Sequence, residues 1–167
     1  MNSVRATMLA ELLKEMRRDN ADYYPEEVWL EVHKSFALPY VELVIPRRAG
    51  GRWEIFLVRR PPTDPHWPSM WHLPGGVWRT RQTETEACHS VARRELGIGV
   101  THIEEVMTYK WNTHPYGSPI SHVCLCRPQR KLKKAPDRGY FARLPKAFIP
   151  EQITFVKASL RYLRERL

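Results

Sequence analysis

The architecture of the chain can be inferred from two short segments, Trp71-His72-Leu73-Pro74-Gly75-Gly76 and Glu95-Leu96-Gly97-Ile98. The first stretch is typical of a short strand, at residues 70–73, that runs into a glycine-rich turn. The residues behind this turn have helical periodicity at 83–96, and Gly97 is the kind of residue that ends a helix. The segment therefore predicts a strand, a tight turn and a helix, in that order.

Short apolar runs on both sides of this segment predict further strands. The runs at 41–45 and 53–58 are joined by a turn at 46–51, and together they predict a hairpin. The proline-rich residues 61–68 exclude regular structure and predict a surface loop. Beyond the helix, we expect strands at 105–111 and 120–126, a turn-rich segment at 112–119 between them, and a strand near Tyr140.

Helices are predicted at both ends of the chain. An amphipathic helix is expected at 7–18 and should end at residues 19–22, and a second, short helix should follow Pro25. The last helix should begin at Glu151. Its apolar stripe is formed by Ile153, Val156, Leu160, Leu163 and Leu167. The whole pattern predicts one mixed α/β domain at 39–167, preceded by a helical extension at 1–38.

Composition limits the classes of protein to consider. The chain has 167 residues, of which 43% are hydrophobic, enough for one domain with a real core. No apolar run approaches the roughly 18 residues that a membrane span needs, and Glu11 and Lys14 interrupt the first apolar run, so we expect neither a signal peptide nor a membrane partner. Three cysteines without CxxC spacing favour a reducing cytoplasm, without a disulfide or zinc framework.

The charge is strongly positive. Lysines and arginines exceed acidic residues by nine, which favours anionic partners such as phosphorylated small molecules. The basic run at 127–134 is predicted to be either a solvated loop or a segment that captures an acidic substrate. Because no aromatic residue interrupts this run, nucleic acid is a less favoured partner.

The quoted segment resembles the Nudix box, G-x5-E-x7-R-E-U-x-E-E-x-G-U, where U is a bulky apolar residue. With the first glycine at Gly76, the second falls at Gly97, and Ile98 follows. The resemblance covers roughly residues 39–165. It implies a Nudix-type α/β/α sandwich with a mixed sheet, and a homodimer is a further expectation because family members often pair.

The box is degenerate. Its first glutamate position holds Gln82, the R-E pair is Ser90-Val91, and the E-E pair is Arg94-Glu95. A register shifted by one turn misplaces the closing glycine and does not restore the glutamates. The ending Arg94-Glu95-Leu96-Gly97 is similar to that of the GDP-mannose mannosyl hydrolases. Isopentenyl-diphosphate isomerases end the box similarly, but their cysteine chemistry has no counterpart here.

The resemblance implies hydrolysis of a nucleoside diphosphate derivative, such as a nucleotide sugar, with Mg²⁺ or Mn²⁺. Such an ion neutralises diphosphate oxygens, activates water and requires oxygen ligands. Glu95 and a backbone carbonyl of Gly75 or Gly76 are the expected ligands, and Arg60 is the expected phosphate contact. In the alternative reading, the Arg94 guanidinium replaces the metal and pairs with the diphosphate, so that the chain binds the nucleotide but hydrolyses it poorly.

Several other residues are candidates for the site. His114 and His122 are the favoured histidines for a base that assists the attacking water. Trp67 or Trp78 could stack on a nucleobase, and Glu42 could contact a base or ribose or form a cross-strand ion pair. We expect Trp71 to belong to the core.

Overall fold

The computed structural model describes residues 2–19 and 25–166. The described residues form four helices and eight strands. The helices are α1 Ser3–Asp19, α2 Glu26–Ser35, α3 Glu84–Leu96 and α4 Gln152–Arg166. The strands are β1 Pro39–Val44, β2 Pro46–Ala49, β3 Arg52–Arg59, β4 Trp71–His72, β5 Gly75–Val77, β6 Val100–Lys110, β7 Ile120–Pro128 and β8 Arg138–Phe141. In the described chain, no helix is both long and apolar enough to cross a membrane.

The strands form two sheets. The first has the order β5-β1-β7-β6, and its β1–β7 pair is parallel while the other two pairs are antiparallel. In the second sheet, β3 pairs antiparallel with β2, β4 and β8. The parallel pair needs a long crossover connection, which the chain between β1 and β7 supplies.

Helices cover both faces of the first sheet, which confirms the predicted α/β/α sandwich. Side chains of α3, among them Val91 and Ala92, share one buried cluster with Val41 and Cys124. Side chains of α4, among them Phe155, share a second cluster with alternate residues of β1 and β7. Because successive strand residues face opposite sides, each strand serves both clusters.

Local signals explain the ends of α3. Thr83 is the N-cap, and its side chain and that of Glu86 form a reciprocal capping box. Gly97 ends the helix with φ of 69°, a left-handed conformation that a side chain disfavours. The predicted start and end of this helix are therefore confirmed.

Three predictions about strands and turns are wrong. The segment 46–51 was expected to be a turn, but Pro46–Ala49 is strand β2, and the hairpin is formed by β2 and β3. The run at 41–45 does not pair with 53–58, because β1 lies in the other sheet between β5 and β7. The glycine-rich turn is likewise a short strand, β5, paired with β1.

Strand β6 contains two irregularities opposite β7, between His102 and Glu104 and between Glu105 and Met107. Each adds one residue to β6, so the alternation of its faces is interrupted twice. As a result, the residues paired with Cys126, Cys124 and His122 are three apart, at His102, Glu105 and Thr108. All three face α3.

The two N-terminal helices pack differently. In α1, the predicted apolar stripe stays largely exposed, with Leu12 at 48% and Leu13 at 44%. Helix α2 packs through Trp29 and His33. His33 Nδ1 donates to the Trp29 carbonyl at 2.7 Å, and its Nε2 bonds the Tyr40 hydroxyl at 2.6 Å. The predicted end of the first helix at 19–22 lies mostly outside the described residues.

Candidate active site

The site is built around two glycines of β5. Gly75 pairs with Glu42 and Gly76 with Val41, so β5 runs directly beside β1. A Cβ on Gly75 would overlap the Glu42 carboxylate, and a Cβ on Gly76 would overlap the Arg94 guanidinium. These positions need glycine because charged groups approach the backbone this closely.

Glu42 is a buried carboxylate, only 5% exposed. Ser121 Oγ donates to its Oε1 at 3.2 Å, and Gln152 Nε2 donates to its Oε2 at 3.1 Å. Both donors are uncharged, so a cross-strand ion pair is not what holds it. Burial, and then the negative charge of Glu95, raise the pKa of Glu42 to about 8.

Glu95 lies on the other side of Gly75, near the end of α3. Its Oε2 accepts a hydrogen bond from the Gly75 backbone N–H at 3.3 Å, and its Oε1 accepts one from Arg94 Nη2 at 3.2 Å. Burial raises the pKa of this carboxyl, although Arg94 and the Gly75 N–H oppose the shift. Two carboxylates with raised pKa values thus flank one glycine.

The Arg94 side chain contacts both Gly75 and Glu95. Its Nη2 donates to the Gly75 carbonyl oxygen at 3.3 Å as well as to Glu95. These acceptors are two of the atoms expected to bind a metal ion. The side chain is 52% exposed and makes these contacts from the solvent side.

Arg60 is held in place by a residue that the sequence reading did not single out. Its Nε donates to Asp64 Oδ2 at 2.7 Å. The other Asp64 oxygen accepts hydrogen bonds from the backbone N–H groups of His66 and Trp67. Although burial raises the pKa of Asp64, these hydrogen bonds and the Arg60 charge outweigh it and lower the pKa. The spacing of four residues between Arg60 and Asp64 was the feature of the sequence from which this ion pair could have been predicted.

The Arg60 charge acts on the carboxylates and on neighbouring histidines. It lowers the pKa values of Glu42 and Glu95, although burial outweighs it at both. At His72, burial first and then Arg60 lower the pKa to about 4. Arg59, the preceding residue, instead donates from its exposed side chain to the Ser69 carbonyl.

His114 lies in an aromatic cluster next to this site. The cluster includes two residues of α2. Its members are Trp29, His33, Tyr40, His66, Trp67, Trp111, His114 and Tyr116. His114 Nδ1 accepts a hydrogen bond from the Tyr116 backbone N–H at 3.3 Å. Burial, then His33 and Arg60, lower the pKa of His114 to about 4, so the ring is neutral at neutral pH.

His122 lies elsewhere. It faces α3, whereas Glu42, paired with the next residue of β7, faces α4. Its Nδ1 donates to Glu105 Oε1 at 3.0 Å, and its ring packs edge-on against Trp78 at 5.0 Å. The Trp78 indole N–H donates to the Gln82 carbonyl, so both aromatic groups are engaged within the domain.

The structure therefore brings together one subset of the predicted residues and separates another. Gathered around β5 are Glu42, Gly75, Gly76, Arg94 and Glu95, with the charge of Arg60 acting on both carboxylates. His122, with the Trp78 ring packed against it, lies instead near Glu84, at the opposite end of α3 from Glu95. The Trp71 ring packs against the second apolar cluster, as expected.

Two residues that depart from the motif bond to each other. Gln82 Nε2 donates to Ser90 Oγ at 3.0 Å, and Gln82 Oε1 accepts from the Arg79 N–H at 3.1 Å. Gln82 thus connects the loop before α3 to the helix through hydrogen bonds of an uncharged side chain. Arg138 provides a second tie, from β8 to the backbone carbonyl of Glu95 at 3.2 Å.

Solved structures with this fold include several nucleotide-related proteins. The C. elegans Ap4A hydrolase is similar with a TM-score of 0.62 and 17% identity, over 77% of this chain and 99% of that one. A UDP-X diphosphatase is similar with a TM-score of 0.59 and 23% identity, over 97% and 82%. The NUDIX domain of Shewanella oneidensis NrtR, complexed with ADP ribose, has a TM-score of 0.59 and 17% identity, over 84% and 99%.

At these identities, the similar structures show the fold alone. No curated protein matches the sequence. The model of the NUDIX domain matches residues 39–165, which is most of the chain and includes β5, α3 and all the residues gathered around Gly75. The chain therefore belongs to the NUDIX domain family.

Proposed function

We propose that this protein hydrolyses a nucleoside diphosphate derivative with the help of a divalent metal ion. The observation that carries this proposal is the pair of carboxylates, Glu42 and Glu95, on either side of Gly75. Both pKa values are raised by burial, and the charge of Glu95 raises that of Glu42 further. Buried groups of this kind, beside a close-approach glycine, are typical of functional sites.

The donor set suits Mg²⁺ or Mn²⁺. Two carboxylates and the backbone carbonyl of Gly75 or Gly76 are oxygen donors, which hard cations prefer. We propose Glu42, Glu95 and these carbonyls as the residues that hold the ion; the closeness of Glu42 to Gly75 supports including it beside the ligands expected from the sequence. When bound, the ion would neutralise diphosphate charge and activate water.

We propose further roles in the reaction for residues of the chain itself. Glu42 and Glu95 would be ionised when they hold the ion, so neither is proposed as the acceptor of the proton that an attacking water releases. Arg60, oriented by Asp64, would pair with phosphate oxygens. His114 is expected from the sequence to act as a base; because its Nδ1 accepts a hydrogen bond, its Nε2 carries the proton, so we propose that it donates a hydrogen bond to substrate instead.

We propose a nucleotide sugar or a similar diphosphate-linked compound as the substrate. The ending Glu95-Leu96-Gly97 supports this choice through its similarity to the mannosyl hydrolases. Three similar structures, whose names mention Ap4A, UDP-X and ADP ribose, support the wider class. The excess of basic residues favours such an anionic compound over a neutral one.

A second candidate function rests on Arg94. Its Nη2 already donates to the Gly75 carbonyl and to Glu95, which are ligands that the ion would need. Like-charge repulsion from this guanidinium opposes cation binding. If Arg94 stays in place, the protein is a nucleotide-binding module in which the arginine replaces the metal.

Turnover and binding distinguish the two functions. Wild-type protein is assayed on UDP-glucose, GDP-mannose, ADP-ribose and Ap4A with Mg²⁺, with Mn²⁺ and with EDTA, and products are separated by chromatography. The hydrolase requires metal-dependent turnover that falls at least about 100-fold in Glu95→Gln. Glu165→Gln, on the exposed side of α4, is the control and should keep full activity.

Two results would contradict the proposal. Turnover that is undiminished in Glu95→Gln removes this carboxylate from the mechanism. Absence of turnover, combined with nucleotide binding that persists in EDTA and is lost in Arg94→Glu, establishes the binding module instead. Binding is measured by calorimetry in both cases.

Two broader expectations also remain proposals. We propose that residues 1–38 form an extension to the domain at 39–167, which the exposed apolar face of α1 supports. We also propose a cytoplasmic location, which the three free, buried cysteines support.

A further inference from the structure

A second cluster of metal-ligating side chains lies at the opposite end of α3 from Glu95. It consists of Glu84 in the first turn of α3, His102 on β6 and Cys124 on β7. One ligand atom from each lies within 4.8 Å of the others. Glu84 and Glu95 are eleven residues apart, which corresponds to about 16 Å along the helix. This cluster is therefore separate from the proposed hydrolytic site.

Backbone features of the domain bring the three donors together. The capping box at Thr83 fixes the start of α3 and thereby the position of Glu84. The paired residues His102 and Cys126 share the face of the sheet that also carries Cys124. Three separate elements thus present an oxygen, a nitrogen and a sulfur to one small volume.

The contacts within the cluster leave one polar atom unsatisfied. Cys124 Sγ donates to Glu84 Oε1 at 3.3 Å. His102 Nε2 lies 3.3 Å from Glu84 Oε2, yet it is a buried atom without a hydrogen-bond partner among the described residues. A cation placed between the ring nitrogen and the carboxylate would satisfy both.

The distances and the chemistry of the donors agree on the kind of ion. Around a tetrahedral Zn²⁺, with bonds of about 2.0–2.3 Å, donor atoms lie roughly 3.3–3.8 Å apart. The two contacts with Glu84, both 3.3 Å long, fall at the lower end of that range but involve its two different oxygens, and one donor atom from each of the three residues lies within 4.8 Å of the others. A set of thiolate, imidazole and carboxylate suits Zn²⁺, whereas Mg²⁺ prefers oxygen donors alone.

We propose that Glu84, His102 and Cys124 form a Zn²⁺ site, distinct from the hydrolytic site and independent of its chemistry. On binding, the Cys124 sulfur–hydrogen bond breaks, the proton passes to the buffer, and a sulfur–zinc bond forms in its place. No electron is transferred. The ion would join the first turn of α3 to β6 and β7 and so stabilise the helix that carries Glu95.

The surroundings of the cluster offer a matched control. Cys126 lies two residues beyond Cys124 on the same strand and the same face, and both are 0% exposed. Cys126 is not part of the three-donor set. Replacing either cysteine by alanine removes the same atom from the same layer of the core, so a difference between the two variants reports on metal binding.

The test uses metal-free, reduced full-length protein titrated with Zn²⁺ against a competing chelator, and separately with Co²⁺. We expect one ion per chain, with the visible absorption of tetrahedral Co²⁺ and a thiolate-to-cobalt charge-transfer band. Cys124→Ala should lose at least about 100-fold in Zn²⁺ affinity and should lose the charge-transfer band. Cys126→Ala should retain both.

Two further variants keep the test decisive if Cys124→Ala folds poorly. His102→Ala removes a nitrogen donor from β6 and should also weaken Zn²⁺ binding about 100-fold, while Glu95→Gln should leave it unchanged. The proposal is overturned if Zn²⁺ binds equally to Cys124→Ala and Cys126→Ala, or if Glu95→Gln abolishes binding. Failure of wild-type protein to bind Zn²⁺ would leave a simple ion pair between His102 and Glu84 and would also overturn it.

Discussion

Arg94 Nη2 donates to the Gly75 carbonyl, while the Gly75 N–H donates to Glu95, the next residue of α3. Both polar backbone groups of this glycine are therefore engaged by two consecutive side chains of opposite charge. The Arg94 guanidinium engages atoms that a metal ion would need, whereas the Glu95 carboxylate would be a ligand of that ion. Under the proposed function, the balance between these two residues would decide whether the domain hydrolyses a nucleotide or only binds it.

Removing the Arg94 charge should strengthen Mg²⁺ binding. In Arg94→Gln, the Gly75 carbonyl and Glu95 Oε1 lose their cationic partner, and the repulsion between guanidinium and metal disappears. We expect the dissociation constant for Mg²⁺ to fall about tenfold, as measured by calorimetry. Arg93→Gln, the neighbouring exposed arginine, is the control. Equal affinities in the two variants would show that Arg94 does not compete with the ion.

Glu42 should make the fold less stable as the pH rises. Its pKa is about 8 in the folded chain against 4.5 for the free group, so the folded state binds the proton more tightly. The resulting stabilisation is fully present below about pH 4.5 and is lost as the pH rises through about 8. We expect a loss of roughly 2–5 kcal/mol in the free energy of unfolding over this range.

The control for this pH effect is Glu42→Gln. A neutral amide can keep hydrogen bonds with Ser121 and Gln152, since a serine hydroxyl both donates and accepts. The variant should show a much flatter dependence of unfolding free energy on pH, as measured by urea denaturation. Parallel curves for the variant and the wild type would show that Glu42 does not titrate in this range.

Gly75→Ala should destabilise the domain and disturb the site. The new Cβ would overlap the Glu42 carboxylate in a buried environment, so either the β1–β5 pair or the carboxylate must move. We expect a loss of about 1–3 kcal/mol in urea denaturation. Gly139→Ala is the control because a Cβ there meets its neighbours at 3.4 Å or more. Equal losses in the two variants would contradict the close approach at Gly75.

Arg60 should contribute to nucleotide affinity and Arg59 should not. The charge of Arg60 acts on both carboxylates, whereas the Arg59 side chain is bonded to the Ser69 carbonyl. Arg60→Gln should weaken the binding of ADP-ribose about tenfold, as measured by calorimetry, and Arg59→Gln should change it less than about twofold. A larger effect at Arg59 would reverse this assignment.

The elements with local signals were predictable. Thr83, the periodicity of α3 and Gly97 define a helix through neighbouring residues, and the structure confirms it. The partner of β1 was not predictable in this way. Val41 pairs with His122, far away in the sequence, so the short turn after β1 suggested a hairpin with the wrong strand.

The site was predictable in part for the same reason. Glycine spacing located Gly75, Gly76 and Glu95, because these residues belong to one continuous motif. The second carboxylate, Glu42, comes from another strand, and its proximity to Glu95 depends on the pairing of β1 with β5. The cluster of Glu84, His102 and Cys124 had no sequence signal, since its members come from three elements.

The two extra residues of β6 determine the spacing, along the sequence, of the side chains that share one face of the strand. Eleven residues of β6 lie opposite nine of β7, and because one extra residue lies on each side of Glu105, this residue shares its face with His102 and Thr108, three positions away in each direction. Deleting Ile103 or Val106 would remove one irregularity and leave the remaining pairs, and the faces of their side chains, unchanged. We therefore expect this strand to tolerate a single-residue deletion at Ile103 or Val106, and an alignment of related chains to place its gaps at these two positions.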